Sequence, residues 1–170
     1  MSAKNAAPGG LALIEVLVNT LDIETGADTL DTAEGRAAFG LVDADVPDVR
    51  VLREALRAVC LAHAGHRPAE DAEVPELDRL LAAAPLRVTV DAAGTAALRP
   101  VEEPAGLTAR VARAIAEAVA DGTWARLKVC EADDCRWAYY DRSPAGRRRW
   151  CSMSVCGARA KMRAYRARQG

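Results

Sequence analysis

The chain has 170 residues, of which 51% are hydrophobic, enough for one ordinary domain plus a small appended module and too many for wholesale disorder. No run of 18 or more apolar residues occurs, which excludes a transmembrane helix and a membrane partner of that kind. The net charge of −1 conceals a split: residues 126–170 carry 12 Lys and Arg against 4 acids, whereas residues 1–125 carry 11 against 20. Leu11–Ile14 is cut short by Glu15, so the N-terminus reads as carrying no signal peptide and the protein as cytoplasmic.

Leu11 to Leu21 is apolar and fits either a short helix or a buried strand. In "TGADTLDTAEG", Asp31 followed by Glu34 resembles a capping box that would start a helix through Phe39. "VPDVRVLREALRAVCLAHAG" is the clearest helix. Val49, Leu52, Leu56, Val59, Cys60 and His63 form its apolar stripe, with Arg50, Arg53, Glu54 and Arg57 elsewhere on the wheel and Gly65 as a stop. A helix from about Pro75 to Ala84 follows. Leu86, Val88 and Val90 then alternate with Arg87 and Thr89, Asp91 to Gly94 reads as a turn, and Thr95 to Val101 as a returning strand. A further helix presents Leu107, Val111, Ile115 and Val119 on one face and ends near Gly122. Residues 1–125 therefore read as a mainly helical domain with one β-hairpin, an α+β arrangement, and Asp121 to Arg126 as the seam to residues 126–170.

Four of the five cysteines lie beyond that seam, spaced Cys130-x4-Cys135-x15-Cys151-x4-Cys156. A short spacer lets both thiolates of a pair reach one ion, and a long one folds back to deliver the second pair. In a reducing compartment such a frame holds metal more often than it forms bridges. About 45 residues with this much charge cannot build a sufficient core alone, so a staple is needed. One structural Zn2+ is the leading reading, with an iron–sulfur cluster or free redox thiols as the alternatives. Four thiolates would leave no open position for catalysis. "RWAYYD", "RSPAG" and "RRRWC" read as strand, turn and returning strand, and Gly157 to Arg168 as a helix. Knuckle, hairpin and helix make a treble-clef-like or zinc-ribbon-like module. Cys60, on its apolar stripe, reads as a buried small hydrophobe, although a Cys60 active site with His63 or His66 stays open.

On a helical wheel Arg159, Arg163 and Arg166 cluster, with Lys161 and Arg168 roughly opposite. Together with Arg147, Arg148 and Arg149 they suit a phosphate backbone, the module keeping about +6 once zinc and four thiolates are counted. Pairing of these arginines with the acidic first domain is the bland alternative, and the chain's 20 Arg against 3 Lys could be compositional bias alone. Trp124, Trp137, Tyr139, Tyr140, Trp150 and Tyr165 could stack on bases or form a miniature core, with Trp150 the plug beside Cys151. No glycine-rich phosphate loop, nucleophile elbow or acid/base pair is present, so the chain reads as no enzyme.

"LVNTLD" at 17–22, the Cys130/Cys135 pair, "YYDRS" at 139–143, "RRWCSM" at 148–153 and Cys156-Gly157 with Arg159 and Lys161 resemble one bacterial family. It joins an N-terminal ABATE domain, formerly DUF1470, to a C-terminal CGNR zinc finger in stress-induced transcriptional regulators. The resemblance implies zinc at the four cysteines, DNA as partner, and a helical domain that senses a signal. It suggests a structural or ligand-binding role for Asn19 and Thr20, of which a buried asparagine bonding nearby backbone is the plainer account. A small-molecule effector and a homodimer are further candidate partners. One departure stands out: Ala158 replaces the asparagine of the naming motif, which would contact a base or cap the helix. The rival reading is a zinc-stabilised protein-docking module that binds no nucleic acid.

Overall fold

The computed structural model describes residues 6–65 and 73–169. Among the described residues, six α-helices and two antiparallel strand pairs make a helix-rich α+β fold. The helices are α1 (Leu11–Val18), α2 (Ala33–Ala37), α3 (Val46–His63), α4 (Glu73–Ala82), α5 (Leu107–Ala120) and α6 (Ala158–Ala167). The strands are β1 (Leu86–Val90), β2 (Ala96–Pro100), β3 (Leu127–Val129) and β4 (Ala138–Tyr140). No helix is long and apolar enough to cross a membrane among the described residues.

The ambiguous first segment is a helix, α1, whose Leu11, Ile14, Leu17 and Val18 are buried against α3 and α5. α2 is capped by Thr32, whose hydroxyl accepts from the Gly35 amide, and not by Asp31, which lies in a preceding 3-10 turn. α3 runs over nearly the full predicted span and buries Val49, Leu52, Leu56 and Cys60. Burial lifts the Cys60 thiol to about 12, which leaves it a packed, protonated hydrophobe. His66 falls outside the described residues.

Two apolar stripes turn out differently from the expected ones. On α5 the buried side is Leu107, Val111, Ala114 and Ala118, while Val119 is exposed. Small alanines let α5 approach α1 closely: a β-carbon on Gly10 would stand 2.7 Å from that of Ala114. On β1, Val88 and Val90 are 68% and 66% exposed, because the two-stranded ribbon has no layer over that face. The apolar alternation here reflects strand propensity more than core-facing burial.

The arginines of α3 are the larger surprise. Arg53 and Arg57 are only 3% and 6% exposed. Glu54 lies between them and accepts from the Nε of both, at 2.7 and 2.9 Å. Arg53 also donates to Asp28 and to the Thr20 hydroxyl, at 2.8 and 3.0 Å. Burial alone would raise the Asp28 pKa, but hydrogen bonds from Arg53 and the Leu30 amide lower it overall. Arg57 donates to the carbonyls of Val18 and Arg136, both at 2.8 Å. A buried charge is tolerated only when paired and hydrogen-bonded in this way.

β3 and β4 bridge the expected seam. Leu127, Val129 and Ala138 are fully buried in the same hydrophobic cluster as α1, α3 and α5. The strand partner of β4 is β3, with Leu127 opposite Tyr140 and Val129 opposite Ala138. The expected return strand at 147–151 does not form; that segment runs as irregular chain. Asn19, the C-cap of α1, completes β4: its Nδ2 donates to the Ala138 carbonyl at 2.9 Å, and its Oδ1 accepts the Ala138 amide at 2.7 Å. Asn19 thus bonds backbone, though backbone 119 positions away. The Thr20 hydroxyl donates to the Leu17 carbonyl at 2.8 Å. His63 Nδ1 donates to the Leu127 carbonyl at 2.8 Å, and its ring meets Trp124 edge-on. Burial holds its pKa below the usual histidine range.

Replacing Asn19 by Ala strands the buried amide and carbonyl of Ala138. The expected loss is about 2 kcal/mol of unfolding free energy, read by urea denaturation. A change below about 0.5 kcal/mol, the range typical of unimportant surface positions, would show that the docking bonds carry no stability.

Candidate metal centre

Cys130 follows β3 directly, and the chain then turns tightly. The amides of Cys135 and Arg136 both donate to the Ala132 carbonyl, at 2.9 and 3.0 Å, forming the knuckle that presents Cys135 beside Cys130. Arg136 leaves the knuckle in the left-handed region, with φ at 48°. That conformation is costly for a residue with a β-carbon. The Arg57 guanidinium on the Arg136 carbonyl helps to hold it, so α3 supports the knuckle from outside the module.

The second pair arrives after the loop 141–150, which is organised around one carboxylate. Asp141 is completely buried. It accepts from the Ser143 amide and hydroxyl at 3.0 and 2.6 Å, the Arg148 amide at 2.9 Å and Lys128 Nζ at 3.1 Å. Burial alone would raise its pKa, but these donors, with Ser143 and Arg148 foremost, drive it well below the usual carboxylate range. Lys128 is buried as well and also donates to the Gly146 carbonyl. The side chain of Arg148 is turned inward: it donates to the Cys151 carbonyl at 2.8 Å and lies over the Tyr139 ring. Tyr139 in turn donates its hydroxyl to the Arg148 carbonyl at 2.7 Å. One π-helical turn, Met153–Gly157, then carries Cys156 into α6.

The four sulfurs converge. All lie within 4.8 Å of one another, and all are free thiols. Cys135 and Cys151 are 3.7 Å apart, Cys151 and Cys156 3.8 Å. A disulfide would need about 2.05 Å. A tetrahedral zinc with Zn–S bonds of about 2.3 Å places its sulfurs about 3.8 Å apart, so the donor set fits. The sulfurs compete for charge by themselves. Hydrogen bonding from the Cys151 thiol, aided by the backbone amides of Cys151 and Ala132, pulls Cys130 down to about 5 against burial. Cys151 is pushed up, first by that same bond, and burial raises Cys156 to about 12. A dication lets all four be thiolates at once and leaves no coordination position open. Trp150 packs on this cluster as expected, with Ala132 the other neighbour.

The basic residues are distributed unevenly around the centre. α6 buries none of its residues, so Arg159, Lys161, Arg163 and Arg166 are all exposed, as is Arg147. Arg159 pairs with Glu24 at 3.4 Å and Arg163 with Asp134 at 3.7 Å, while Arg149 pairs with Glu131. Ala158 is exposed on the first turn. Gly157 already has helical angles, φ −62° and ψ −43°, so the helix continues from the π-turn and has no capping position at 158. The Lys128–Asp141 pair was missed from sequence; the "YYDRS" motif was the signal that could have found it.

Residues 11–122 match the ABATE family model, described as "Putative stress-induced transcription regulator", and residues 126–169 match that of the CGNR zinc finger. No curated protein matches the chain.

Three measurements check this centre. Mass spectrometry under native conditions should give one zinc per chain. Chelation should then melt residues 141–169 in hydrogen exchange, while the amides of β3 and β4 stay protected by the main core; simultaneous loss of both would show that the metal holds the whole fold. Asp141→Asn should cost about 3–5 kcal/mol in denaturant unfolding, because it leaves Lys128 buried without its counter-charge.

Proposed function

The chain belongs to the ABATE family and ends in a CGNR zinc finger, and from that premise we propose that it is a cytoplasmic transcription regulator that grips DNA through the finger. The observation that carries this reading is α6, a ten-residue helix that buries nothing. A helix that short is marginal in water and must draw its stability from its surroundings. Here it starts from a metal ligand, Cys156, and lies against no core. Such a helix is held out for a partner.

Its outer stripe runs Arg159, Met162 and Arg166, positions three and four apart, all exposed, with Val155 exposed on the π-turn that precedes it. An α-helix fits the major groove of B-DNA, where arginine reads guanine edges and apolar side chains meet the thymine methyl. Arg163, Lys161, Arg147 and Arg149 would serve as phosphate contacts that fix register. Arg148 is removed from that set, because its guanidinium is engaged with the Cys151 carbonyl. In this reading the closed four-thiolate centre does no chemistry and the protein is not an enzyme. The N-terminal domain senses an effector or dimerises, and the Asn19 and Thr20 side chains serve docking rather than ligand binding.

A second reading has one observation of its own. Arg159 pairs with Glu24 of the N-terminal domain, so acids of the chain already answer the basic helix. This favours a docking module for acidic protein surfaces. A pull-down recovering protein and no nucleic acid would support it.

The main test is a salt series on duplex DNA with the intact, zinc-loaded chain. Affinity should fall steeply with salt, each phosphate contact adding about 0.9 to the log–log slope. Arg159→Glu with Arg163→Glu should abolish binding without loss of zinc. Salt-independent binding, or none at low salt, would overturn the proposal.

A further inference from the structure

A cavity of about 580 Å3 opens between the zinc knuckle and the inner side of α6. It exists because that side of the helix is small: Ala160 and Ala164, one turn apart, face it. Trp150 lines it across from them, and the charged part of its wall is made by Glu131, Asp133, Arg149, Lys161 and Arg163. The size suits a small organic ligand.

The contents of this wall are unusual in one respect. The Arg149 guanidinium lies 5.1 Å from the centre of the Trp150 ring. The same guanidinium donates through Nη2 to Glu131 Oε1. Glu131 Oε2 is buried and, among the described residues, is the one buried side-chain nitrogen or oxygen with no hydrogen-bond partner. A carboxylate in a wall of this kind ordinarily has both oxygens satisfied. Here a planar group with a single engaged donor occupies a place that accepts two.

A planar ring stacked on an indole, with a donor edge against a carboxylate, is how a nucleobase would sit there. Guanine has the matching edge, because its N1–H and N2–H point the same way, side by side, like the two N–H groups of an arginine fork. Cytosine and adenine offer only the amine on that edge. Arg149 is the exposed member of its pair with the half-buried Glu131, so its guanidinium can swing out to solvent when another donor edge takes the carboxylate. Once displaced, it joins Lys161 and Arg163 on the rim, where a phosphate attached to the base would lie. The geometry points to a guanine-nucleotide pocket in the finger: base on Trp150, donor edge on Glu131, phosphate on Lys161, Arg163 and the released Arg149. The guanine belongs either to a free nucleotide or to an unpaired position of a bound strand. The strand-borne form rests on the nucleic-acid reading above; the free form does not.

The test is titration calorimetry on the intact, zinc-loaded chain with GMP, CMP and inorganic phosphate. A parallel series uses a single-stranded oligothymidine with and without one central guanine, and a duplex. GMP, or the guanine-bearing strand, should bind at least tenfold tighter than its guanine-free counterpart. Glu131→Gln should erase that preference at unchanged zinc content. Lys161→Ala, on an exposed helix position, should weaken binding several-fold without touching the base preference. GMP binding identifies a free ligand, and preference confined to the strand identifies an unpaired base. Equal binding of guanine-bearing and guanine-free probes, or a guanine preference that survives Glu131→Gln, overturns the pocket. Duplex binding that persists in that event leaves the regulator reading standing, whereas guanine preference without duplex binding keeps the pocket and removes that reading.

Discussion

Four sulfurs at van der Waals distance from one another cannot all be ionised on their own. At about 4 Å each like-charged pair costs about 1 kcal/mol in water and about 4 kcal/mol at the effective dielectric of a protein surface. Cys130, Cys135, Cys151 and Cys156 meet at this spacing because three separate segments deliver them: a knuckle, a carboxylate-centred loop and a helix start. Among the described residues, the apolar neighbours packed with them are Ala132 and Trp150. No aliphatic core stands ready to replace a metal, so the dication is what makes these segments one object. α6 depends on it most, since the helix buries no residue and Cys156 is its anchor.

The finger is nevertheless not a bead on a string. Its first hairpin is built into the helical domain, with Leu127, Val129 and Ala138 in the common core. Three side chains of that domain bond hairpin or knuckle backbone: Asn19 at Ala138, Arg57 at Arg136 and His63 at Leu127. Arg57 also holds the Val18 carbonyl at the end of α1. A shift of α3 against α1 would therefore break bonds at the knuckle itself. The family boundary between residues 122 and 126 marks a change of sequence type, while the buried core runs across it through Leu127, Val129 and Ala138.

What could be read from the sequence follows from which forces leave a one-dimensional trace. The cysteine frame was legible because thiolate spacing is dictated by one ion's radius. α3 was legible because Val49, Leu52, Leu56 and Cys60 repeat at helical period. Arg53, Arg57, Lys128 and Asp141 were not, because a buried charge looks in sequence like an exposed one, and its partner can be anywhere along the chain. The β3 strand was hidden for a related reason. Three residues are too few for a period, and Lys128 in the middle reads as solvent-facing until its partner Asp141 is found. On α5 the buried Ala114 and Ala118 were passed over for the bulkier Val119, since alanine contributes area only where helices approach closely.

The replacement at position 158 can now be weighed physically. An asparagine there would have two uses, capping a helix or meeting something outside. Capping requires a residue with non-helical backbone just before the first turn. Gly157 is already helical and its amide is taken by the Ser152 carbonyl at 3.0 Å, so no cap is missing in this chain. Alanine is also the stronger helix former in such a position. The change therefore costs α6 nothing. Residue 158 is exposed beside Arg159, on the edge of the stripe formed by Arg159, Met162 and Arg166. An amide at that place would face solvent rather than the helix it belongs to. A chain with a methyl group there keeps the charge and the shape of the helix while giving up one donor and one acceptor on its exposed face.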